Sequence, residues 1–237
     1  MAGRKSTAVT VDLLRVFPLL HELPDTVLER LAQQSVMRKF SRRAIVLQSG
    51  KKEEFLCFLF EGRLQGVDFT VDGREVGIYF IEPKEFCGEL GLIDQDEQPE
   101  YVMALTASQV VMVPVAELRA VLSSAPMLMN ALCQRMAARV RLMTRQRNLL
   151  GLPNIAQRVC GQLLMLIPDA EPGEERVIIN PPTHQEIAIM LNLSRETVTR
   201  VFQQLQGQRI VKRDGNTRLL IEDFEKLEAL AKGEFEL

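Results

Sequence analysis

Within the stretch NLSRETVTRVFQQL, Asn192 to Leu205, two kinds of residue share one short segment. Val198, Val201, Phe202 and Leu205 follow the i, i+3, i+4, i+7 spacing of a buried helical stripe. Arg195, Glu196, Thr199 and Arg200 occupy the other side, inside an arc of roughly 140° at about 100° per residue. An arginine donates two hydrogen bonds to guanine O6 and N7, and a carboxylate accepts one from cytosine N4. A glutamate between arginines is poorly suited to phosphate attraction alone, because it repels a polyanionic backbone. It suits a surface that reads a cytosine while the guanidinium groups neutralise its surroundings. Arg195, Glu196 and Arg200 are therefore the candidate base-reading residues, and double-stranded DNA the expected partner. A nucleic-acid binder without sequence preference would fit the arginines but not Glu196.

Such a face needs a scaffold that fixes its direction. Ser194 is a good N-cap, and Leu193 before it can pack on Val198, a staple that sets the helix entry angle. A preceding helix is expected from His184 to Leu191, with Ile187, Ala188 and Leu191 inward and NLS as the turn. Upstream lie an amphipathic segment, IAQRVCGQLLMLI, and a short strand, RVIINPP; downstream, IVKRDGNTRLLI folds as a hairpin around Asp214-Gly215-Asn216. That order describes a winged helix-turn-helix, which places the first residues of its second helix in the major groove. Thr183, Gln185, Ser194 and Thr199 around the turn, with Arg213 and Arg218 on the wing, are the candidate phosphate contacts.

The remainder reads as an α+β chain. Residues 11–34 are helical with breaks at Pro18 and Pro24, and from about Arg38 to Pro114 short β-rich runs alternate with glycine turns. Among these, Asp72-Gly73 between two strand-like runs is a strong hairpin signal. Strands this short and this frequent favour a β-roll or jelly roll. A helical stretch from Ala116 to Leu150 follows, divided near Pro126. Leu128, Leu132, Met136, Val140, Met143 and Leu150 give it an apolar seam near a 3.5-residue repeat, interrupted by Arg147. This predicts a homodimer through the long helix, with a hinge at Gly151 and Pro153. The expected domains are a β-roll sensor over residues 1–125, a dimerisation helix and hinge over 126–152, and the winged helix-turn-helix over 153–237.

Composition excludes several classes. The chain has 237 residues, 46% hydrophobic and 25% charged, ordinary for a globular protein. A formal charge of −2 does not announce a polyanionic partner, but charge is unevenly placed. Residues 82–100 carry seven acids against one lysine, whereas residues 195–218 carry six bases against two acids. The second segment is a local electrostatic footprint for nucleic acid inside an acidic chain. No apolar run approaches the ~18 residues of a membrane span, and MAGRKSTAVT lacks a signal-peptide core, so no membrane partner and a cytoplasmic location are expected. Cys57, Cys87, Cys133 and Cys160 are scattered without CxxC spacing, which suggests reduced, mostly buried thiols. The β region contains no histidine, and neither a phosphate-binding loop nor a nucleophile–base pair occurs. A metal-dependent oxygenase on the β-roll is thereby disfavoured, and the chain reads as a regulator rather than an enzyme.

The order β-roll, long helix, winged helix-turn-helix resembles the cyclic AMP receptor protein/fumarate-nitrate regulator family of bacterial transcription factors. The pattern TxQEIAxxLxxSRETVxRxxxxL over Thr183 to Leu205 is the most specific part, and FxGExGL, here Phe86, Gly88, Glu89, Gly91 and Leu92, also matches. The resemblance implies that Arg195, Glu196 and Arg200 read a TGTGA-like half-site in an inverted repeat. It also implies an RNA polymerase partner, for which the loop over 168–175 is one candidate surface. For the sensor it implies a pocket around Gly88, Glu89, Leu90, Glu100, Tyr101, Met143 and Thr144.

In nucleotide-binding members the motif glutamate holds the ribose, and a downstream arginine with serine or threonine holds the cyclic phosphate. Here Glu89 is present, but no arginine occurs between Arg74 and Arg119, and Asp94, Asp96, Glu97 and Glu100 crowd the corresponding place. Met143-Thr144 stands where the cyclic AMP group uses threonine and serine for the adenine. Binding of cyclic AMP in its usual mode is therefore not expected, and no cofactor is assigned. A nucleotide second messenger stays open, cyclic di-GMP ahead of cyclic AMP. Arg139, Arg141, Arg145 and Arg147 are either partners for its phosphates or a solvated or DNA-facing row. An iron–sulfur member would need an N-terminal cysteine group, and the first cysteine is Cys57. Haem needs an axial ligand; His184 belongs to the DNA-reading module, and His21 reads as a helix-surface imidazole.

Overall fold

The computed structural model describes residues 7–168 and 175–237. Residues 169–174 of the loop expected to reach polymerase lie outside that description. Contacts divide the chain into two compact units: one runs to Phe69 and resumes over Ile78–Val140, the other takes Thr70–Gly77 with Arg141–Leu237.

The first unit opens with strand β1 (Thr7–Ala8) and helices α1 (Val11–Arg15) and α2 (Asp25–Gln34). Strands β2 (Val36–Phe40), β3 (Ile45–Leu47), β4 (Phe55–Glu61), β5 (Leu64–Phe69), β6 (Glu75–Ile81) and β7 (Phe86–Cys87) follow. Helix α3 (Glu89–Ile93) leads into β8 (Tyr101–Ala104), β9 (Ser108–Pro114) and helices α4 (Val115–Leu122) and α5 (Pro126–Leu150). One sheet has the order β1-β2-β9-β4-β7, the other β3-β8-β5-β6. At the Asp72-Gly73 turn between β5 and β6, Gly73 has φ +79°, a conformation glycine adopts without steric cost.

Phe17, Phe58 and Phe86 pack as tilted rings through the core of this unit, with centroids 4.9 and 5.6 Å apart. Leu28, Leu31, Leu118, Leu128 and Leu132 complete the same cluster. Burying each leucine contributes about 1.5–3 kcal/mol. This placement corrects the expected seam. Leu128 and Leu132 are core residues of their own unit, and the exposed stripe of α5 instead runs through Met129, Cys133, Val140, Met143 and Leu150, with Met136 half-buried. The stripe keeps the 4-3 spacing but is displaced by one position at its N-terminal end. The core takes the inner leucines because α2 and α4 cover that flank of the helix.

The second unit contains α6 (Ile155–Leu164), β10 (Val177–Ile179), α7 (His184–Leu191), α8 (Arg195–Gly207), β11 (Val211–Asp214), β12 (Arg218–Ile221) and α9 (Phe224–Lys232). Its antiparallel sheet has the order β10-β12-β11. The end of α5 belongs to this core: Leu149 is buried beside Val159 and Leu163, and Gln146 Nε2 donates to the Met190 carbonyl at 2.7 Å. Gly161 permits the approach, since a Cβ there would lie 2.4 Å from a Leu149 methyl. The contact boundary thus falls inside α5 after Val140, and the Gly151 turn lies within the second unit.

Candidate nucleic-acid interface and sensor pocket

The α7–α8 pair is built as its sequence requires. Thr183 caps α7: its hydroxyl accepts from Glu186 N, and the Glu186 carboxylate accepts from Thr183 N at 2.8 Å, a reciprocal capping box. Asn192 ends α7 in the left-handed region at φ +51°, where asparagine is tolerated, and reverses the chain. Ser194 then caps α8, accepting from Thr197 N at 3.1 Å. Val198, Val201, Phe202 and Leu205 are buried, with Leu193 packed against the same core. Arg195, Glu196 and Arg200 are consequently exposed on the first two turns. Beside them an open groove of about 730 Å³ is lined by Asn154, Thr197, Arg200, Gln204 and Glu236 among others.

His184 joins the two helices, a role that its sequence context did not suggest. Its Nδ1 lies 2.9 Å from Thr199 Oγ1, while that hydroxyl donates to the Arg195 carbonyl at 2.9 Å. With the threonine proton committed there, Nδ1 must be the donor. The ring also lies 4.4 Å from that of Phe202. Burial, then the positive charges of Arg213 and Arg195, hold the imidazole below its ordinary value. The wing arginine and the first arginine of α8 are thus close enough to act on one half-buried ring.

The candidate phosphate contacts divide accordingly. Gln185 and Ser194 are exposed at the turn, and Thr183 keeps a hydroxyl proton to donate while it caps. Thr199 has its proton committed to the backbone. Arg218 lies 3.0 Å from Asp214 and 3.5 Å from Glu175, so a phosphate would compete with two carboxylates. Arg213 has no carboxylate partner among the described residues.

In the first unit, Gly88 at φ +89° opens α3. A Cβ there would come within 3.2 Å of both a Leu47 methyl and the Phe55 carbonyl oxygen, in a left-handed backbone that favours glycine. Arg119 of α4 closes the other end of α3, its Nη2 donating to the Gly91 and Leu92 carbonyls at 2.8 and 2.9 Å. The turn so fixed drives Glu89 into the interior, where it is fully buried. There it meets Arg139 of α5, whose Nη1 donates to Glu89 Oε1 and whose Nη2 lies 3.8 Å from Glu100 Oε1. The guanidinium carbon stands 3.6 Å from the centroid of the Tyr79 ring, and the Tyr79 hydroxyl donates to Glu100. Burial pushes the carboxyls of Glu89 and Glu100 up to about 7 and lowers Arg139 to about 10.

The other acids expected to crowd this place stand outside it. Asp94, Asp96 and Glu97 are exposed, and Asp94 and Asp96 accept from backbone N–H groups of the turn. Leu90 is half-buried, and Tyr101 packs edge-on to Phe69 at 5.4 Å. Met143 and Thr144 occupy exposed positions of α5 in the other unit's share of the helix. The structure therefore brings Glu89 and Glu100 together, adds Tyr79, which the sequence did not single out, and corrects Arg139, which is buried against Glu89 and is not part of a solvated or DNA-facing row. Tyr79 alternates inward with Gly77 and Ile81 and reads as core, while Arg139 stood among four similar arginines.

Two family models match. Residues 37–125 match the cyclic nucleotide-binding domain and residues 157–230 the Crp-like helix-turn-helix domain. The chain is 26% identical over 196 residues to the cAMP-activated global transcriptional regulator CRP of Salmonella typhimurium, covering 81% of this chain and 93% of that protein. The chain belongs to the CRP/FNR family. Solved structures share its fold. FixK2 of Bradyrhizobium japonicum superposes with a TM-score of 0.71 at 21% identity, covering 83% of this chain and 96% of that one. The c-di-GMP-responsive regulator CLP of Xanthomonas campestris gives 0.64 at 22%, covering 84% and 99%. As a CRP/FNR member, the chain is a DNA-binding transcription regulator carrying a cyclic nucleotide-binding domain. No helix among the described residues is long and apolar enough to cross a membrane.

Proposed function

We propose that this CRP/FNR member acts in the cytoplasm as a homodimer that reads a TGTGA-like inverted repeat. In this reading Arg195, Glu196 and Arg200 contact base edges, and Gln185, Ser194, Thr183 and Arg213 contact phosphates. One observation carries it: the guanidinium–carboxylate–guanidinium trio stands exposed at the capped start of α8 while the opposite face of that helix is buried. RNA polymerase is the partner that a promoter-bound regulator of this family requires.

Selection from a pool of random duplexes with the full chain is expected to recover an inverted repeat. Changing Glu196 to Ala should relax choice at one position per half-site, where a good contact discriminates by about 1–3 kcal/mol. Changing Arg213 to Ala should weaken all sequences alike and lower the salt slope by about one. Recovery of no inverted repeat, or the same uniform loss from both substitutions, overturns direct readout.

For the sensor we propose that cyclic AMP is not bound in the usual mode. Arg139 occupies the carboxylate pair, and no arginine lies in the stretch between Arg74 and Arg119. A second reading is a regulator gated by cyclic di-GMP, with cyclic AMP in a rearranged pocket behind it. The exposed Arg141, Arg145 and Arg147 of α5 favour it, as partners for two phosphates. Isothermal titration with cyclic AMP, cyclic GMP and cyclic di-GMP, followed by duplex binding with and without each, separates the readings.

A further inference from the structure

Cys57, Cys87 and Cys160 are buried and Cys133 is exposed, all of them free thiols. Two share one place. Cys57 of β4 stands directly opposite Cys87 of β7 in the antiparallel register, and both are fully buried. Two residues further along β4, Leu59 N donates to the Glu85 carbonyl at 2.9 Å, so Cys57 and Cys87 are the next hydrogen-bonded pair of the ladder. The Cα atoms of such a pair lie about 5.5 Å apart, inside the roughly 4.4–6.8 Å that a disulfide spans. Leu56, Phe58 and Phe86 face the phenylalanine core, so by strand alternation both cysteines leave the sheet on its other face. There the Cys87 thiol turns toward its neighbour and donates to the Cys57 carbonyl at 3.7 Å. Contact with Cys57, then burial, push that thiol well above its ordinary value, with Glu89 and Glu100 adding. A thiol so held is inert while it stays covered. Its cover is thin, however. β7 is two residues long and ends the sheet order β1-β2-β9-β4-β7, so among the described residues it is paired on one side only. Short segments at a sheet edge open locally at far lower cost than core strands.

We propose that Cys57 and Cys87 form an oxidative modification site, at which a hydroperoxide converts the facing thiols to a cross-strand disulfide. One thiolate attacks a peroxide oxygen and becomes a sulfenic acid, and the other oxygen leaves as water. The second thiol attacks that sulfur, forms the S–S bond and releases a second water. Two thiols are thus oxidised by two electrons, and one hydrogen peroxide is reduced to two waters. A small neutral peroxide suits a covered pair better than a bulky oxidant such as glutathione disulfide. The bond ties β7 to β4 immediately before Gly88 and Glu89, so the oxidant acts on the turn that opens α3. The inference is independent of how α8 meets DNA.

The test uses the full unaltered chain, reduced and then freed of reductant. It is treated with millimolar hydrogen peroxide at pH 7 and pH 8.5, alkylated, digested and mapped by mass spectrometry. The expected product is a peptide linking Cys57 to Cys87, lighter by two hydrogens than its reduced parts and lost on treatment with dithiothreitol. It should form several-fold faster at pH 8.5, because the thiolate is the nucleophile. Glutathione disulfide at the same concentration should give far less of it. Joint replacement of Cys133 and Cys160 by serine should leave the linked peptide, whereas Cys57→Ser or Cys87→Ser should abolish it. Mapping on the unaltered chain stands whether or not either of those single variants folds. Cys57 and Cys87 that both remain open to alkylation while Cys133 is oxidised overturn the proposal. So does separate passage of either thiol to a sulfinic acid without the linked peptide. An equal yield from glutathione disulfide overturns the assignment to a peroxide.

Discussion

Three buried or half-buried titratable groups give the two units opposite responses to pH. Burial raises Glu89 and Glu100 from 4.5 to about 7, with Asp68 adding to Glu100, and with Glu100 and Glu85 adding to Glu89 against Arg135. Arg139 also faces both carboxylates and favours their charged forms. A carboxyl raised on folding contributes stability below its unfolded value and loses it as pH climbs through the folded value. The first unit should therefore weaken between about pH 5 and pH 8, by the order of 1–3 kcal/mol. His184 is lowered by burial and by Arg213 and Arg195, so its contribution is present above about 6.5 and disappears as pH falls. Hydrogen exchange resolved by segment at pH 5.5, 6.5 and 7.5 checks both signs. β4 and β9 should lose protection on going up, and α7 and α8 on going down. A common trend in the two units would mean that these groups do not control it.

At the scale of elements, the short helix α3 is only as good as the turn that starts it. Gly88→Ala would place a Cβ against a Leu47 methyl and the Phe55 carbonyl at 3.2 Å, in a left-handed backbone that costs L-residues about 1–2 kcal/mol. The expected result is a lower melting temperature for the first unit, with α7 and α8 unchanged in exchange. A neutral Gly88→Ala would mean that the turn relaxes freely. This turn was legible in the sequence as the glycine of FxGExGL. The start of α8 was legible for a similar reason, because Ser194 is a local cap that acts whatever surrounds it, while the Thr183–Glu186 box that caps α7 went unread. The α5 stripe was only half legible. A 3.5-residue repeat and a 3.6-residue helix diverge slowly, so sequence spacing alone does not say whether Leu128 or Met129 faces the core. The burial of Arg139 was illegible, since it differs from Arg141, Arg145 and Arg147 only in what β6, α3 and β8 bring to meet it. Sequence proximity likewise placed Asp94, Asp96 and Glu97 with Glu100, but the chain turns outward after α3 and returns only at β8.

At the scale of the whole molecule, an inverted repeat requires two recognition helices, and the exposed stripe of α5 is the surface that would pair two copies. Val140 is 62% exposed and lies midway along it, between Met136 and Met143. A residue so placed adds little to the fold of its own chain. A charge there would be buried against its symmetry mate if α5 pairs in parallel, and like charges brought together in a desolvated seam repel strongly. Val140→Glu should therefore leave the melting of each unit within about 0.5 kcal/mol, as for ordinary surface substitutions. It should also shift the chain from dimer to monomer in sedimentation and abolish tight binding to the inverted repeat. Weak, salt-sensitive binding to a single half-site should persist, because α8 and the wing are untouched. A Val140→Glu protein that stays dimeric and binds the repeat as before would place the dimer contact on another surface. The exposed methionines of α5 would then need a different partner.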